Sequence, residues 1–183
     1  MDVLATLLNC IQFAAIKHKD QRRLDSTKTP YINHPIRVAT ILAVEGSIND
    51  PVVLMAAILH DTVEDTATTF VEIEENFGKE VCDIVKEVTD DKSLEKQERK
   101  RLQIVNAKKS THKAKLVKLA DKLDNLRDLK ECLPEGWTEE RRNQYFVWAK
   151  QVVDNLRGTN EYIEKFLDDI FYERGLQLMK SEF

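Results

Sequence analysis

Apolar positions recur along this chain at spacings of three, four and seven, the repeat of one helix face. Val3, Leu4, Leu7, Leu8, Ile11, Ala14 and Ala15 set the first such run and predict an amphipathic helix from Asp2 to about Lys19. The polar stretch from Gln21 to Pro30 predicts a loop. His34-Pro35 opens a second helix, since Pro35 suits a first helical position, and Gly46 closes it. Asp50 as N-cap, followed by Pro51, starts a third. Its first part, Val52 to Leu59, is apolar on every side, as in a helix at the middle of a bundle.

Farther on, Thr69 and Glu72 form a capping box ahead of a short helix that Gly78 ends. Helices follow from Lys79 to about Val88, from Ser93 to about Ala107 and from Lys113 to Leu133. Pro134-Glu135-Gly136 makes a turn. Thr138 caps a helix to about Leu156, Gly158 stops it, and Asn160 caps a last one to Arg174, with Gly175 beyond. The tail to Phe183 is expected to fray. No strand-like alternation competes, and only 5 Gly and 4 Pro punctuate the chain. The expected architecture is all-α: one compact domain of about eight to ten helices over 1–183, with its core over about 2–175.

Composition narrows the classes. With 42% hydrophobic and 33% charged residues, disorder is excluded as the default. Cys10, Cys82 and Cys132 lie far apart without CxxC spacing, so neither a disulfide framework nor a zinc knuckle is expected. Reduced thiols and a cytoplasmic setting are. The N-terminus lacks the basic start of a signal peptide, and no apolar run is long enough to span a membrane. A net charge of −4 argues against nucleic acid as a partner. The charge is uneven, however: Lys92 to Lys118 holds ten Lys or Arg against two Glu. That segment is either a solvated face or a positive field for a polyanionic small molecule. The oligomeric state is left open.

Two segments carry candidate chemistry. The apolar third helix runs into His60-Asp61-Thr62-Val63-Glu64-Asp65. Carboxylates are disfavoured at a helix C-terminus, and desolvation adds to the cost. A divalent cation would relieve both; the plainer alternative is that the helix surfaces here and water solvates the acids. In the helix from Lys113, Leu116, Leu119, Leu123 and Leu126 form one stripe and Lys118, Asp121, Asn125 and Asp128 the opposite one. The polar stripe either faces water or lines a cleft. His18 and His112, among lysines, read as surface residues. Arg141 and Tyr145, at i and i+4, share a face suited to contacting a nucleotide; the competing reading packs Tyr145 into the core beside Phe146 and Trp148.

His34, then His60-Asp61 26 residues later, then Asp121 60 residues after that, resembles the H…HD…D signature of the HD hydrolase superfamily. Three blocks sharpen the match: Tyr31-Ile32-x-His34-Pro35, Leu59 to Thr66, and Lys118-Leu119-Ala120-Asp121-Lys122-Leu123-x-Asn125-Leu126-Arg127. They resemble the hydrolase domain of the RelA/SpoT alarmone enzymes, in their stand-alone metazoan branch, over essentially residues 1 to 175. The resemblance implies a metal-dependent phosphohydrolase that removes the 3′-pyrophosphate of ppGpp or pppGpp. By motif, His34, His60, Asp61 and Asp121 would hold the metal, usually Mn²⁺, and neutral imidazoles with carboxylates suit such an ion. Glu64 and Asp65 match the family's catalytic acids, Arg23 its phosphate-contacting arginine, and Asn125 its substrate-binding asparagine.

Two positions depart from that pattern. Asp124 stands where the family often has His, and it receives no role. Leu24 stands where a lysine often follows the arginine, which puts one phosphate contact in doubt. Synthesis of the alarmone is not expected from a chain of this length. Two other functions stay open: a phosphatase for another 2′- or 3′-phosphorylated nucleotide such as NADPH, and a non-catalytic nucleotide-sensing module.

Overall fold

Side-chain caps set where six of the helices begin. Asp2, Asp50, Thr69, Thr111, Thr138 and Asn160 each accept a hydrogen bond from a backbone N–H two or three residues on. Each such cap satisfies a donor the helix cannot, worth about 1 kcal/mol. In the computed structural model, which describes residues 2–176, the helices are α1 (Val3–Lys17), α2 (Asn33–Thr40), α3 (Pro51–Leu59), α4 (Thr62–Asp65), α5 (Phe70–Phe77), α6 (Lys79–Val88), α7 (Lys96–Ala107), α8 (His112–Glu131), α9 (Glu139–Asp154) and α10 (Glu161–Glu173). A π turn, Ile41–Glu45, follows α2. Among the described residues there is no strand, only one isolated bridge between Arg22 and Pro30, so the fold is all-α. The expected fraying of the tail concerns residues outside those described beyond 176.

The uniformly apolar α3 takes the central place its sequence demands. Val53, Met55, Ala56, Ala57, Ile58 and Leu59 are buried, and α1, α2, α6 and α8 pack around the helix. From α8 the stripe Leu116, Leu119, Leu123 and Leu126 is buried too. Each such side chain contributes roughly 1.5–3 kcal/mol of burial. The C-terminal end of α3 is thereby brought beside the polar stripe of α8, with α2 alongside both.

The structure departs from the sequence expectations in four places. The helix expected to run unbroken from His34 to Gly46 begins at Asn33 and loosens after Thr40, where the Gly46 N–H donates to Ile41 O at 2.8 Å. Gly46 is not a left-handed cap: its φ is −86°, and a Cβ there would meet the Ile163 side chain at 2.9 Å and Leu42 O at 3.0 Å. Glycine leaves room there for the Ile163 side chain of α10. Ser93 does not start α7; it sits in a turn bonded to Asp91, and the helix starts at Lys96. His18 is not a surface residue but 1% exposed, its ring packed 5.0 Å from that of Tyr31.

Candidate metal and nucleotide site

Four side chains from three parts of the chain converge where α2, α3 and α8 meet. His34 comes from the first turn of α2, His60 and Asp61 from the break between α3 and α4, and Asp121 from the middle of α8. His34 Nε2 stands 3.2 Å from Asp121 Oδ1 and 3.6 Å from Asp61 Oδ2. His60 Nε2 stands 2.9 Å from Asp61 Oδ2 and 3.8 Å from Asp121 Oδ1. His34, His60 and Asp121 offer atoms that all lie within 4.8 Å of one another. Donor atoms about 2.0–2.2 Å from one ion stand roughly 3 Å apart at right angles and farther at wider ones.

The second nitrogen of each imidazole fixes its tautomer. His34 Nδ1 pairs with Asp124 Oδ2 at 2.6 Å, and His60 Nδ1 with the Ala57 carbonyl at 2.8 Å. Both partners only accept, so both Nδ1 atoms carry a proton and both Nε2 atoms are turned to the centre, where each can take a proton or meet a cation. His60 Nε2 is buried without a hydrogen-bond partner, an orphan that a cation would satisfy. The residues present therefore fit a divalent ion.

The carboxylates are held as firmly. Tyr31 Oη donates to Asp61 Oδ2 at 2.6 Å. Asn125 Nδ2 donates to Asp121 Oδ1 at 2.6 Å, and the buried Lys122 donates to Asp121 Oδ2 at 2.8 Å. Burial works against every charge here, yet the mutual field outweighs it. Burial would lower the pKa of His60, but Asp61 and Asp121 lift it to about 9. His34 is raised in the same way, by its bonds to Asp121 and Asp124. Burial would raise Asp61 and Asp121, but the imidazoles, with Lys122 beside Asp121, hold both below the usual carboxylate range. A site that draws protons onto two buried histidines draws a cation for the same reason.

These groups line a chamber of about 210 Å³, with Glu64 and Asp65 on its wall. The Glu64 carboxylate accepts from the Asp90 N–H at 3.0 Å. Burial pushes its pKa up to about 7, against the Asp90 bond and with help from Asp61. Asp65 accepts from Gln21 at 3.0 Å and from Lys92. Lys118 also lines the chamber, and burial together with Lys122 lowers its pKa to about 8.

A larger cleft of about 510 Å³ adjoins the chamber and shares Tyr31, Asn125 and Tyr145 with it. Arg23 lines this cleft, donating from Nη2 to Asn125 Oδ1 at 2.9 Å and to Asp128 Oδ2 at 2.8 Å. Arg23, Asn125 and Asp121 thus form a bonded chain from cleft to chamber. Leu24, Leu129, Pro134 and Trp137 give the cleft an apolar side. Tyr145 is half-buried: it packs 5.1 Å from Trp148 and 5.9 Å from Trp137, and it lines both cavities. Arg141 is exposed and stacks 4.2 Å over Trp137; its own side chain lines neither cavity, and it reaches the cleft through that indole.

A family model described as "HD domain" matches residues 10–150. This chain belongs to the HD-domain family. Within that family it is 65% identical over 172 residues to a Drosophila melanogaster protein named guanosine-3′,5′-bis(diphosphate) 3′-pyrophosphohydrolase MESH1, covering 94% of this chain and 96% of that one. The Homo sapiens protein of the same name is 59% identical over 174 residues, covering 95% and 97%. A solved structure superimposes with a TM-score of 0.93 at 65% identity, over 94% of this chain and 97% of that one. It is described as a metazoan orthologue of SpoT that hydrolyses ppGpp and plays a role in starvation responses.

Sequence reasoning missed several residues of this HD-domain site. Asp124, left without a role, orients His34 and is itself gripped by Arg37 at 2.6 and 2.9 Å. Its signal was an acid in line with buried Leu116 and Ala120 at i+4 steps, where an unpaired charge is not tolerated. Tyr31 and Lys122 were visible only inside the family motifs. The basic segment proves divided: Lys118 lines the chamber and Lys92 bonds Asp65, whereas Arg101 pairs with Glu98 and Lys113 with Asp50 and Glu80 away from the site.

Proposed function

We propose that this chain removes the 3′-pyrophosphate of ppGpp and pppGpp, yielding GDP or GTP and pyrophosphate. In this reading His34, His60, Asp61 and Asp121 hold one divalent ion, Mn²⁺. The observation that carries it is the pair of buried imidazoles whose Nε2 atoms are turned toward two carboxylates, in a chamber that shares three side chains with a larger cleft. The names of the close relatives support the same substrate.

When bound, the ion supplies Lewis acidity and a lowered pKa for water. The side chains do the rest. Glu64 takes the proton of the attacking water, a task suited to a carboxylate poised at about 7. Asp65 orients that water toward the phosphorus joined to the ribose 3′-oxygen. The water oxygen bonds to that phosphorus as the bond to the 3′-oxygen breaks, the proton held by Glu64 passes to the 3′-oxygen directly or through water, and pyrophosphate leaves in one piece. Lys118 and Lys122 face the chamber with positive charge for the phosphoryl oxygens. Arg23 has further N–H donors for phosphate at the junction of the cavities. Trp137 and Tyr145 flank the base, and Arg141 extends the positive rim. The partner is thus a small phosphorylated nucleotide, not nucleic acid. Among the described residues no helix is long and apolar enough to cross a membrane. Free thiols at Cys10, Cys82 and Cys132 agree with a cytoplasmic setting.

Purified protein with Mn²⁺ should release pyrophosphate from ppGpp, a chelator should abolish release, and metal analysis should find one ion per chain. NADPH measured beside ppGpp on one preparation tests the substrate. A higher kcat/KM for NADPH would replace the ppGpp assignment while keeping the centre.

A further inference from the structure

The Gln21 amide lies between a buried histidine and one of the two acids. Its Nε2 is 3.0 Å from Asp65 Oδ2, and its Oε1 is 2.6 Å from His18 Nδ1. A carboxylate can only accept, so the amide nitrogen faces Asp65. The amide oxygen then faces His18, whose Nδ1 must carry the proton. The opposite nitrogen, His18 Nε2, is left as a buried lone pair without a partner. The polarity is consistent in this one sense. Turning the amide over would set its oxygen against the carboxylate and its N–H₂ against the Nδ1 hydrogen.

We propose that His18 and Gln21 are positioning residues that act in series, His18 fixing the Gln21 amide and Gln21 fixing the direction in which the Asp65 carboxylate faces. The proposal rests on the reaction assigned above, in which Asp65 orients the attacking water.

The relay is built on anchored backbone. The Gln21 N–H donates to His18 O at 3.0 Å, and Gln21 O accepts from the Tyr31 N–H at 3.0 Å. His18 itself caps α1, its N–H bonded to Ala14 O. Its ring rests on Tyr31, the same residue that holds Asp61. The other Asp65 oxygen meets Lys92, a half-exposed side chain with four flexible carbons, which supplies charge but little direction. Orientation therefore falls to the Gln21 arm. It matters because a displacement of about 1 Å in a reacting constellation can cost about a hundredfold in rate. The relay also accounts for a buried His18, a position that lysine-rich surroundings in the sequence gave no reason to expect.

The test uses the full chain with Mn²⁺ and ppGpp and compares four variants: Gln21→Leu, His18→Leu, the double variant, and His18→Gln. Gln21→Leu should lower kcat roughly ten- to a hundredfold, with KM within about twofold. His18→Leu should lower kcat less, and in the Gln21→Leu background it should cost nothing further, as expected of a residue that acts through another. His18→Gln again offers an N–H toward Gln21 Oε1 and should recover most of the lost rate. Crystals of the metal-free Gln21→Leu protein should show the Asp65 carboxylate turned from its orientation in the unaltered protein, a readout independent of turnover. Full kcat in Gln21→Leu, losses that multiply in the double variant, or an unmoved Asp65 would each overturn the relay. If the unaltered protein turns over no ppGpp, the substrate assignment fails, and the Asp65 orientation in the crystals alone decides the relay.

Discussion

The chamber and the cleft share a wall of three side chains and are built from different parts of the chain. Each of the four side chains proposed to hold the ion stands on a helix or at a helix break, and each is tied by a hydrogen bond of its own. Asp124 holds His34, the Ala57 carbonyl holds His60, Tyr31 holds Asp61, and Asn125 with Lys122 holds Asp121. The cleft has more than twice the volume, and much of its wall is connection: the segment around Arg22, Arg23 and Leu24, and the link between α8 and α9 with Cys132, Pro134 and Trp137. The contrast teaches a division of labour. A geometry fixed twice over suits chemistry that tolerates no drift, and loop-built walls suit the choice of substrate.

The most severe way to break this contrast is to remove one of the side chains proposed to hold the ion. His60→Ala or Asp61→Ala should bring bound metal close to zero by elemental analysis and turnover to background, with a cooperative melt retained. If metal persisted at full occupancy in either variant, the assignment of these four ligands would fail. Glu64→Gln comes next. It should lower kcat by roughly 10²–10⁴-fold while metal content stays whole, as removal of a general base does. The pH profile sharpens the same point. Burial raises Glu64 to about 7, and a base must be unprotonated to act, so kcat/KM should climb as pH rises toward 7 and fall on the acid side. Bound metal adds nearby positive charge and moves that inflection lower. The free pKa is therefore best read by carbon NMR on metal-free protein. A Glu64 that titrated there as an exposed glutamate would remove it from the role of base.

A smaller effect belongs to the layer behind the ligands. Asp124→Asn keeps the shape but can present N–H to His34 Nδ1, which works against the tautomer with a bare Nε2. It should weaken Mn²⁺ binding roughly 10- to 100-fold by titration calorimetry. An unchanged affinity would mean that His34 is oriented by packing alone.

Asp124 also marks the boundary of what could be read from residues in a row. The all-α class, the caps at Asp50, Thr69, Thr138 and Asn160, and the central α3 were legible because period and capping are local properties. The acids after α3 stood out because a charged cluster behind an apolar helix is costly without a counterion. Motif resemblance then named the residues that meet them. What stayed hidden depends on which faces pack together. The Gly46 contact with Ile163 joins segments far apart in sequence, as does the bond from Asp124 to His34. The His18 ring was misjudged because its neighbours in sequence are lysines, while its neighbours in space are Tyr31 and Gln21.

The mildest prediction tests the cleft itself. Trp137 lines it, carries the Arg141 guanidinium 4.2 Å above its ring and sits 5.9 Å from Tyr145. Trp137→Ala removes a stacking surface and the platform for Arg141 while leaving the histidines and acids of the chamber in place. KM for ppGpp should rise roughly tenfold, equivalent to about 1.4 kcal/mol of binding, with kcat within about threefold. Trp137→Phe keeps an aromatic face and should recover most of the affinity. Tyr145→Phe provides the contrast because Tyr145 faces both cavities, so kcat and KM should change together. If Trp137→Ala instead lowered kcat and left KM alone, the loop-built wall would be setting the geometry of the reacting groups. The separation of chemistry from recognition would then not hold in this molecule.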